Sequence, residues 1–143
     1  MDNQLIRTQM LIGEDAINKL KNSAVAVFGI GGVGGYTVEA LARCGVGRLD
    51  LIDSDTIDIT NLNRQIYALH STIGMYKVEV AKNRILDINP NIKVNTYKTF
   101  YLPENANQFD LGLTADNMSS VWIRANRQFV LLLIFDRKSA QKK

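Results

Sequence analysis

The chain has 143 residues, of which 46% are hydrophobic and 22% are charged, and its formal net charge is +3. This composition excludes an extended disordered protein and predicts one soluble domain with a real core, whose small positive charge suits an anionic partner. The single cysteine, Cys44, excludes an internal disulfide and a cysteine-rich zinc cluster, which favours the reducing cytoplasm. No secretory signal or membrane span is expected, because the longest apolar run, residues 129–135, is too short.

Short apolar runs alternate with amphipathic stretches, which is typical of β-α-β units. In chain order, the pattern predicts a helix over 14–20, a strand over 24–28, a helix over 32–44, a strand over 48–52, a helix over 77–86 and a strand over 93–97. The first strand is apolar throughout, as a strand covered on both faces must be. Gly45 is placed to end the second helix in a left-handed conformation. We therefore predict an α/β fold: a Rossmann-like parallel sheet with helices on both faces, truncated to its first half.

A glycine-rich motif, Gly-Ile-Gly-Gly-Val-Gly over residues 29–34, connects the first strand to the following helix. Gly29 permits the tight turn, Gly31 lets the backbone approach a phosphate, and Gly34 lets the helix lie close to the strand. The start of the helix offers backbone amides to an anion. Asp53, at the end of the second strand, is placed to accept hydrogen bonds from ribose hydroxyls. The motif and its surroundings predict a nucleotide-binding site.

Two cations in the next connection favour ATP over a nicotinamide dinucleotide. Arg64 and Lys77 flank a long segment after the second strand. Backbone amides usually suffice for the pyrophosphate of a dinucleotide, whereas cleavage of a triphosphate needs positive charge near its oxygens. Because the sequence has no Gly-x-x-x-x-Gly-Lys-Ser/Thr loop, the ATP is expected to bind in the Rossmann manner.

Several motifs together resemble one family. They are the glycine motif, Gly45-Val-Gly, Asp53-x-Asp55, Asn61-Leu-Asn-Arg64-Gln65 and Lys77-Val-Glu. Between about Arg7 and Asp110 the chain resembles the ThiF-like adenylating enzymes related to ubiquitin activation. The segments over 67–74 and 101–105 are most similar to the branch of tRNA threonylcarbamoyladenosine dehydratases. That resemblance implies ATP-dependent activation of the carboxylate on threonylcarbamoyladenosine in tRNA, followed by cyclisation with loss of AMP.

The resemblance also implies which residues contact the nucleotide. These are Gly29, Gly31, Gly32, Gly34, Asp53, Asp55, Asn61, Arg64 and Lys77. It implies that Gly32 and the neighbouring amides bind the phosphates. It also implies that Asn61, Arg64 and Lys77 contact the triphosphate and stabilise the charge that develops on it. Arg7 matches an arginine that homodimers of the family extend to the partner's ATP. Mg²⁺ is implied as a further cofactor.

Two other candidate residues are expected to have structural roles. His70 is the only histidine, and no cysteine lies near it in the sequence, so we predict a structural hydrogen-bonding residue rather than a base or metal ligand. Cys44 ends the helix after the glycine motif, where we expect a buried, unreactive thiol. No metal-ligating residue is assigned in this sequence.

The resemblance ends after Asp110, where the family has a strand whose terminal acids hold the magnesium. Residues 113–124 show neither the period of a strand nor an amphipathic helical face, and Asp116-Asn117 is the one candidate substitute for the acids. Back-translation of residues 117–123, read two bases late, is compatible with a mostly apolar strand that ends in aspartate. We hypothesise a frameshift near Leu113, so that residues 1–112 form the ATP-binding part and residues 113–143 an aberrant tail. We then expect a bare sheet edge, and activity that is impaired or lost.

Three functions therefore stay open. The first is the tRNA-modifying dehydratase, with tRNA as substrate and a homodimer as the expected assembly. The second is adenylation of the C-terminus of a ubiquitin-like sulfur-carrier protein, with sulfur-transfer proteins as partners. The third is a non-catalytic remnant that binds nucleotide. A nicotinamide dehydrogenase fits less well, because Arg64 and Lys77 would have no role in it.

Overall fold

The computed structural model describes residues 3–109, 118–125 and 128–136. Its α-helices are α1 (Ile6–Ile12), α2 (Glu14–Asn22), α3 (Gly32–Cys44) and α4 (Lys77–Ile88). Its strands are β1 (Ser23–Phe28), β2 (Arg48–Ile52), β3 (Lys93–Tyr97), β4 (Met118–Ala125) and β5 (Gln128–Asp136). The predicted strands and helices between residues 14 and 97 are confirmed, and α2 and α4 each extend slightly beyond their predicted ends. Among the described residues, no helix is long and apolar enough to cross a membrane.

The strands form one sheet in the order β3-β2-β1-β5-β4. β1, β2 and β3 are parallel, and the register pairs Phe28 with Ile52 and Ile52 with Tyr97. The carboxyl ends of these three strands therefore meet at one edge of the sheet, where ligands of open α/β sheets bind. The predicted Rossmann-like α/β fold with a parallel sheet is confirmed.

The main core lies between one face of the sheet and the helices α3 and α4. The strands contribute buried residues that alternate along the chain, and the helices contribute residues spaced three or four apart. The central members are Val25, Val27, Leu49, Leu51, Val38, Ala42, Val78, Ala81 and Ile85. Burial of a valine, leucine or isoleucine stabilises a fold by roughly 1.5–3 kcal/mol per side chain. This packing fixes the position of both helix starts relative to the strand ends.

Two glycines after α3 allow a close turn into β2. Gly45 has φ 85° and ends the helix in the left-handed conformation, as predicted, while the amide of Val46 donates to the Leu41 oxygen at 3.3 Å. At Gly47 an added Cβ would lie 1.9 Å from the Lys21 carbonyl oxygen. A side chain there would push the end of α2 away from the sheet.

The prediction that Cys44 is buried is wrong, because its thiol is exposed. The buried positions of α3 include Val38 and Ala42, which are four residues apart and share one face. Cys44 lies two positions after Ala42, which in an α-helix is more than half a turn around the axis. The thiol therefore points away from the core.

The opposite face of the sheet is covered differently. Ala24, Ala26 and Ile52 are buried there together with Phe109. Asp50 is also fully buried on this face, although its neighbours in β2 are apolar. Its carboxylate accepts hydrogen bonds from Arg48 at 3.0 Å and from the Asn95 amide at 2.7 Å, so a charged group is satisfied between β2 and β3. The sequence analysis did not identify this pair.

The tail adds two strands to the sheet. β5 is antiparallel to β1, with Ser23 opposite Asp136 and Phe28 opposite Leu131, and β4 is antiparallel to β5. Residues 118–125 and 128–136 therefore form strands despite their weak periodicity and cover the edge of β1, while β3, the last of the predicted strands, is an outer strand of the described sheet. An unpaired strand presents backbone donors and acceptors that an apolar segment of high β propensity can satisfy. Leu113 and Asp116-Asn117, on which other predictions depend, lie outside the described residues.

Candidate functional site

A cavity of about 400 Å³ opens at the carboxyl edge of β1 and β2. A volume in this range suits a ligand of nucleotide size. The cavity lies between the glycine-rich turn, the connection from β2 to α4 and the segment after β3. It is lined by Phe28, Gly29, Gly31, Gly34, Ile52, Asp53, Asp55, Gln65, Lys77, Thr99, Phe100 and Tyr101.

The glycine-rich turn is built from backbone groups. Gly29 has φ 89°, a conformation that residues with a side chain rarely adopt, and its amide donates to the Ile52 oxygen at 2.8 Å. α3 begins at Gly32, and the Gly35 amide donates to the Gly31 oxygen at 2.9 Å. The amides of a first helical turn have no acceptor inside the helix, so they can donate to an anion in the cavity.

Asp53 connects the glycine-rich turn to the segment after β2. One carboxylate oxygen accepts from the Ile30 amide at 2.6 Å, and the other accepts from the Asp55 amide at 2.8 Å. Each carboxylate oxygen can accept more than one hydrogen bond, so capacity for ribose hydroxyls remains. The carboxylate is thus held rigidly at the mouth of the cavity.

Lys77, the first residue of α4, forms an ion pair with Asp55. The ammonium nitrogen lies 2.8 Å from Asp55 Oδ2, and the side chains are 7% and 57% exposed, respectively. The backbone supports the pair, because the Lys77 amide donates to the Asp55 oxygen at 3.1 Å. The lysine is therefore buried against the cavity, while its counter-ion borders solvent.

The segment over residues 57–65 has a compact internal structure. The Asp58 carboxylate accepts from the Thr60 amide at 2.8 Å, and the Asn61 side-chain oxygen accepts from the Asp58 amide at 3.0 Å. The hydrogen bonds from Thr60 lower the pKa of Asp58. Arg64 donates to the Thr60 oxygen and to Asn63 Oδ1, both at 2.9 Å. In this structure its guanidinium group therefore contacts its own segment.

The structure brings together some of the predicted residues and leaves others apart. Six predicted residues line the cavity: Gly29, Gly31, Gly34, Asp53, Asp55 and Lys77. Gly32, Asn61, Arg64 and Arg7 are not among the described residues that line it. Asn61 is buried as a capping residue, and Arg64 is exposed beside it. His70 is exposed at the start of a short turn, and Thr72, not His70, makes the hydrogen bonds of that turn.

The sequence analysis missed the apolar wall of the cavity. The Phe28 and Tyr101 rings meet edge to face with centroids 5.1 Å apart, and Ile52 and Phe100 extend the same wall. Phe100 is 66% exposed although it is aromatic. Exposed aromatic groups of this kind provide a stacking surface for a planar base. The signal in the sequence was the run Phe100-Tyr101-Leu102, which lies just after β3.

A charge cluster around the buried Glu39 ties α3 to α4 behind the site. Glu39 accepts from Arg84 at 2.6 and 3.0 Å and from Arg43 at 2.8 Å. The hydrogen bonds and charge of Arg84, with those of Arg43, lower the pKa of Glu39 to about 2. Burial raises the pKa of the neighbouring Tyr67, whose hydroxyl has no hydrogen-bond partner among the described residues. The Tyr67 ring would lie 3.3 Å from a Cβ at position 35, so α3 and the segment with Arg64 pack closely.

The described residues contain no cluster that would hold magnesium without the nucleotide. Mg²⁺ takes carboxylate and water oxygens. Within residues 3–109, 118–125 and 128–136 there is no group of three histidine, cysteine or acidic residues that could hold a metal. Both acids of the cavity are engaged, Asp53 by two backbone amides and Asp55 by Lys77. We therefore derive no chemical step through the metal.

The glycine turn, the fixed acid at the end of β2 and the cavity at the carboxyl edge define a Rossmann-like nucleotide-binding domain. Within that class, the model of the ThiF family matches residues 3–117, and the chain belongs to the ThiF family.

Several relatives of the chain have a named activity. The chain is 53% identical over 114 residues to a tRNA threonylcarbamoyladenosine dehydratase of Bacillus subtilis (strain 168), covering 79% of this chain and 45% of that protein. A crystal structure of E. coli TcdA, a tRNA N6-threonylcarbamoyladenosine dehydratase, in complex with ATP has a TM-score of 0.71 and 43% identity, with 73% of this chain and 43% of that chain covered. An adenylyltransferase and sulfurtransferase, UBA4, of Lodderomyces elongisporus is 37% identical, with 82% and 27% covered. The chain thus spans less than half the length of these relatives.

Proposed function

We propose that this chain is the nucleotide-binding part of an ATP-dependent adenylating enzyme that dehydrates threonylcarbamoyladenosine in tRNA. One observation supports the proposal above all: the glycine turn, Asp53 and Lys77 line one cavity at the carboxyl edge of the sheet. The similarity to dehydratases, one of which has been crystallised with ATP, favours this substrate over others.

ATP is expected to lie along the edge of the sheet. The apolar wall of Phe28, Ile52 and Tyr101 suits the base, Asp53 suits the ribose hydroxyls, and the amides at the start of α3 suit the phosphates. A substrate carboxylate oxygen attacks the α-phosphorus and pyrophosphate leaves. The resulting acyl adenylate then cyclises, and AMP leaves with the carboxylate oxygen, so the net change in the nucleoside is loss of water.

The cations act on the charge that develops during the first step. Lys77 already borders the cavity, and we assign it to the phosphate chain. Arg64 and Asn61 are assigned to the same chain, which requires the Arg64 side chain to leave its contacts with Thr60 and Asn63. Mg²⁺, which the resemblance implies, would neutralise further charge when it is bound with the triphosphate.

A second copy of the chain is the expected partner. The side chains of Met10 and Leu11 on α1 are 81% and 86% exposed, which is a large apolar surface on a helix with no buried residue. Arg7 lies on the same helix. We propose a homodimer in which α1 lies at the interface and Arg7 reaches the partner's ATP. We place the protein in the cytoplasm, where its tRNA substrate would be found.

A second function has support from one comparison. The similarity to UBA4, an adenylyltransferase and sulfurtransferase, favours a carboxylate at the C-terminus of a sulfur-carrier protein as the alternative substrate. The first step would be the same, because carboxylate, α-phosphate and pyrophosphate have the same roles. The cavity described above serves either substrate.

We propose that adenylation by this chain is impaired, whereas nucleotide binding persists. The antiparallel strand beside β1 supports this, because the resemblance implies a strand with metal-binding acids in the part of the chain that follows Asp110. A frameshift near Leu113 remains our explanation for the sequence of residues 113–143, and resequencing of the gene tests it. An intact reading frame with the same tail would contradict that explanation.

The test is ATP-pyrophosphate exchange and AMP release by the full chain with magnesium and threonylcarbamoylated tRNA. Arg64→Ala is the matched variant, because its side chain is exposed and its loss leaves the core intact. The control substrates are unmodified tRNA and a sulfur-carrier protein. AMP that forms with the modified tRNA alone, and is lost in the variant, supports the dehydratase.

Other results discriminate between the alternatives. AMP formed with the carrier protein would favour the second function. Binding of ATP without exchange or AMP release would leave a nucleotide-binding remnant. If ATP does not bind at all, the proposed function is wrong.

A further inference from the structure

The charges that line the cavity do not favour a phosphate chain. The charged side chains of the lining are those of Asp53, Asp55 and Lys77, so two acids face one base. A nucleoside triphosphate carries several negative charges, and like charges in a partly enclosed site repel each other more strongly than in water. The side-chain charges of the cavity therefore oppose the phosphate chain that the amides of the glycine turn favour.

The charge of Lys77 is already neutralised in this arrangement. Its ammonium group lies 2.8 Å from Asp55 Oδ2, and its side chain is only 7% exposed. A phosphate that approaches Lys77 must therefore compete with the Asp55 carboxylate. The competition is possible because the Asp55 side chain is 57% exposed and can rotate towards water.

The backbone holds both residues in place during such an exchange. Thr56 and Tyr76 form an antiparallel bridge, and the Lys77 amide donates to the Asp55 oxygen at 3.1 Å. Asp53 differs from Asp55, because both of its oxygens accept from backbone amides. Asp53 is therefore a fixed acid of the cavity, and Asp55 is the one whose side chain can leave.

The geometry points to Asp55 as a displaceable counter-ion of Lys77 that sets the preference of this site for phosphorylated nucleotides over the bare nucleoside. This inference rests on the proposed nucleotide site but not on the tRNA or carrier substrate. It gives Asp55 a role towards Lys77 rather than towards the ribose. Removal of its charge should strengthen the binding of phosphates, whereas the loss of a residue that contacts the nucleotide would weaken it.

The test is calorimetric titration of the full chain with ATP, AMP and adenosine in EDTA. For Asp55→Asn we expect the affinity for ATP to rise about tenfold relative to that for adenosine, which corresponds to about 1.4 kcal/mol. AMP should gain less, because it has fewer charges. The gain should shrink in high salt, since Asp55 is exposed enough for ions to screen it.

Two further variants make the test specific. Asp58→Asn removes an equal charge from the same connection without touching Lys77, and it keeps an acceptor for the Thr60 amide. It should leave the ratio of ATP to adenosine affinity unchanged. A second comparison is made in chains that carry Lys77→Met. There, adding Asp55→Asn should raise the affinity for ATP by a smaller factor than it does in the unaltered chain, because Asp55 and the phosphates no longer compete for the Lys77 ammonium group. Circular dichroism and thermal melting check that each variant is folded, and Asp55→Ser replaces Asp55→Asn if the latter is not.

Each outcome decides the inference. If the neutral Asp55 variant binds ATP no better, or worse, relative to adenosine, then Asp55 orients Lys77 and the inference is overturned while the nucleotide site stands. An equal gain in Asp58→Asn would reduce the effect to net charge and overturn it as well. If the unaltered chain binds neither adenosine nor ATP, the nucleotide site itself is wrong, and the inference falls with it.

Discussion

The glycine-rich turn and the segment over residues 53–77 face the same cavity but are built in different ways. The turn relies on backbone groups: Gly29 has a positive φ, and its amide donates to Ile52. The segment also has its own backbone hydrogen bonds, but it presents the charged side chains of Asp55 and Lys77 to the cavity, and the hydrogen bonds of Arg64 among the described residues stay within it. Asp53 is the link between the two regions, because it accepts from an amide of each.

This difference explains which parts of the site are ready for a ligand. Backbone amides are oriented as soon as β1 and α3 fold, so they need no further ordering when a phosphate binds. A long exposed side chain must give up rotamer freedom and existing hydrogen bonds before it contacts a ligand. Phosphate recognition by the turn is thus built into the fold, whereas the cations depend on the ligand itself.

The largest effect should come from breaking the link at Asp53. Asp53→Ala leaves the Ile30 and Asp55 amides without their acceptor and removes the predicted partner of the ribose. We expect adenosine affinity to fall by more than about 100-fold, with a loss of stability of about 1–3 kcal/mol. Calorimetry and urea unfolding measure the two effects.

Asp53→Asn is the matched control, since it keeps one oxygen acceptor and the shape. It should retain more stability than the alanine variant. Unchanged adenosine binding in Asp53→Ala would show that the two regions bind nucleotide independently, which contradicts the role given to this carboxylate.

A smaller effect is expected at the cluster that joins α3 to α4. The pKa of Glu39 is lowered to about 2 from 4.5, so its ion pairs stabilise the fold fully above pH 4.5 and are lost as the pH falls towards 2. Glu39→Gln should therefore cost about 1–2 kcal/mol at pH 7, a modest value because Arg84 and Arg43 are 44% and 58% exposed. The difference from the unaltered chain should vanish near pH 2 in urea unfolding. A difference that stays constant with pH would mean that the carboxyl group is not ionised in the cluster.

The smallest effect on stability should come from Arg64. Its hydrogen bonds lie on the surface, within one segment, so Arg64→Ala should change the free energy of unfolding by less than about 0.5 kcal/mol. Thermal melting of the free chain measures this, and repetition with ATP measures the loss of ligand-induced stabilisation. A large loss of stability without ligand would show that the segment needs this arginine to fold, which contradicts the view that its side chain is free to rearrange when a ligand binds.

Local signals allowed the central part of the fold to be predicted. A continuous apolar run indicates β1, and Gly45 marks the end of α3, because each of these signals depends on neighbours in the sequence. The buried Asp50 was missed since its partner Asn95 is on another strand. The strands over 118–125 and 128–136 were also missed, because their pairing depends on the free edge of β1 rather than on their own periodicity.

In the candidate site, too, features that depend on neighbours in the sequence were predicted, and features that depend on distant residues were missed. The glycines and Asp53 were recognised from their positions after strands. The pairing of Lys77 with Asp55 and the outward contacts of Arg64 depend on side-chain rotation, which no spacing reveals. The wall formed by Phe28 and Tyr101 joins the end of one strand to the segment after another, so it appears only when the sheet is assembled.

The Glu39–Arg84 contact also has a consequence for motion. α3 carries the amides that face the cavity, and α4 begins with Lys77, so a clamp between these helices keeps the two sets of donors at a constant separation. Local unfolding of α3 and α4 should therefore be cooperative, and the amide hydrogens of the two helices should exchange slowly and together. The connection between them lies outside this clamp, so the amide hydrogens of its exposed residues should exchange faster than those of the two helices.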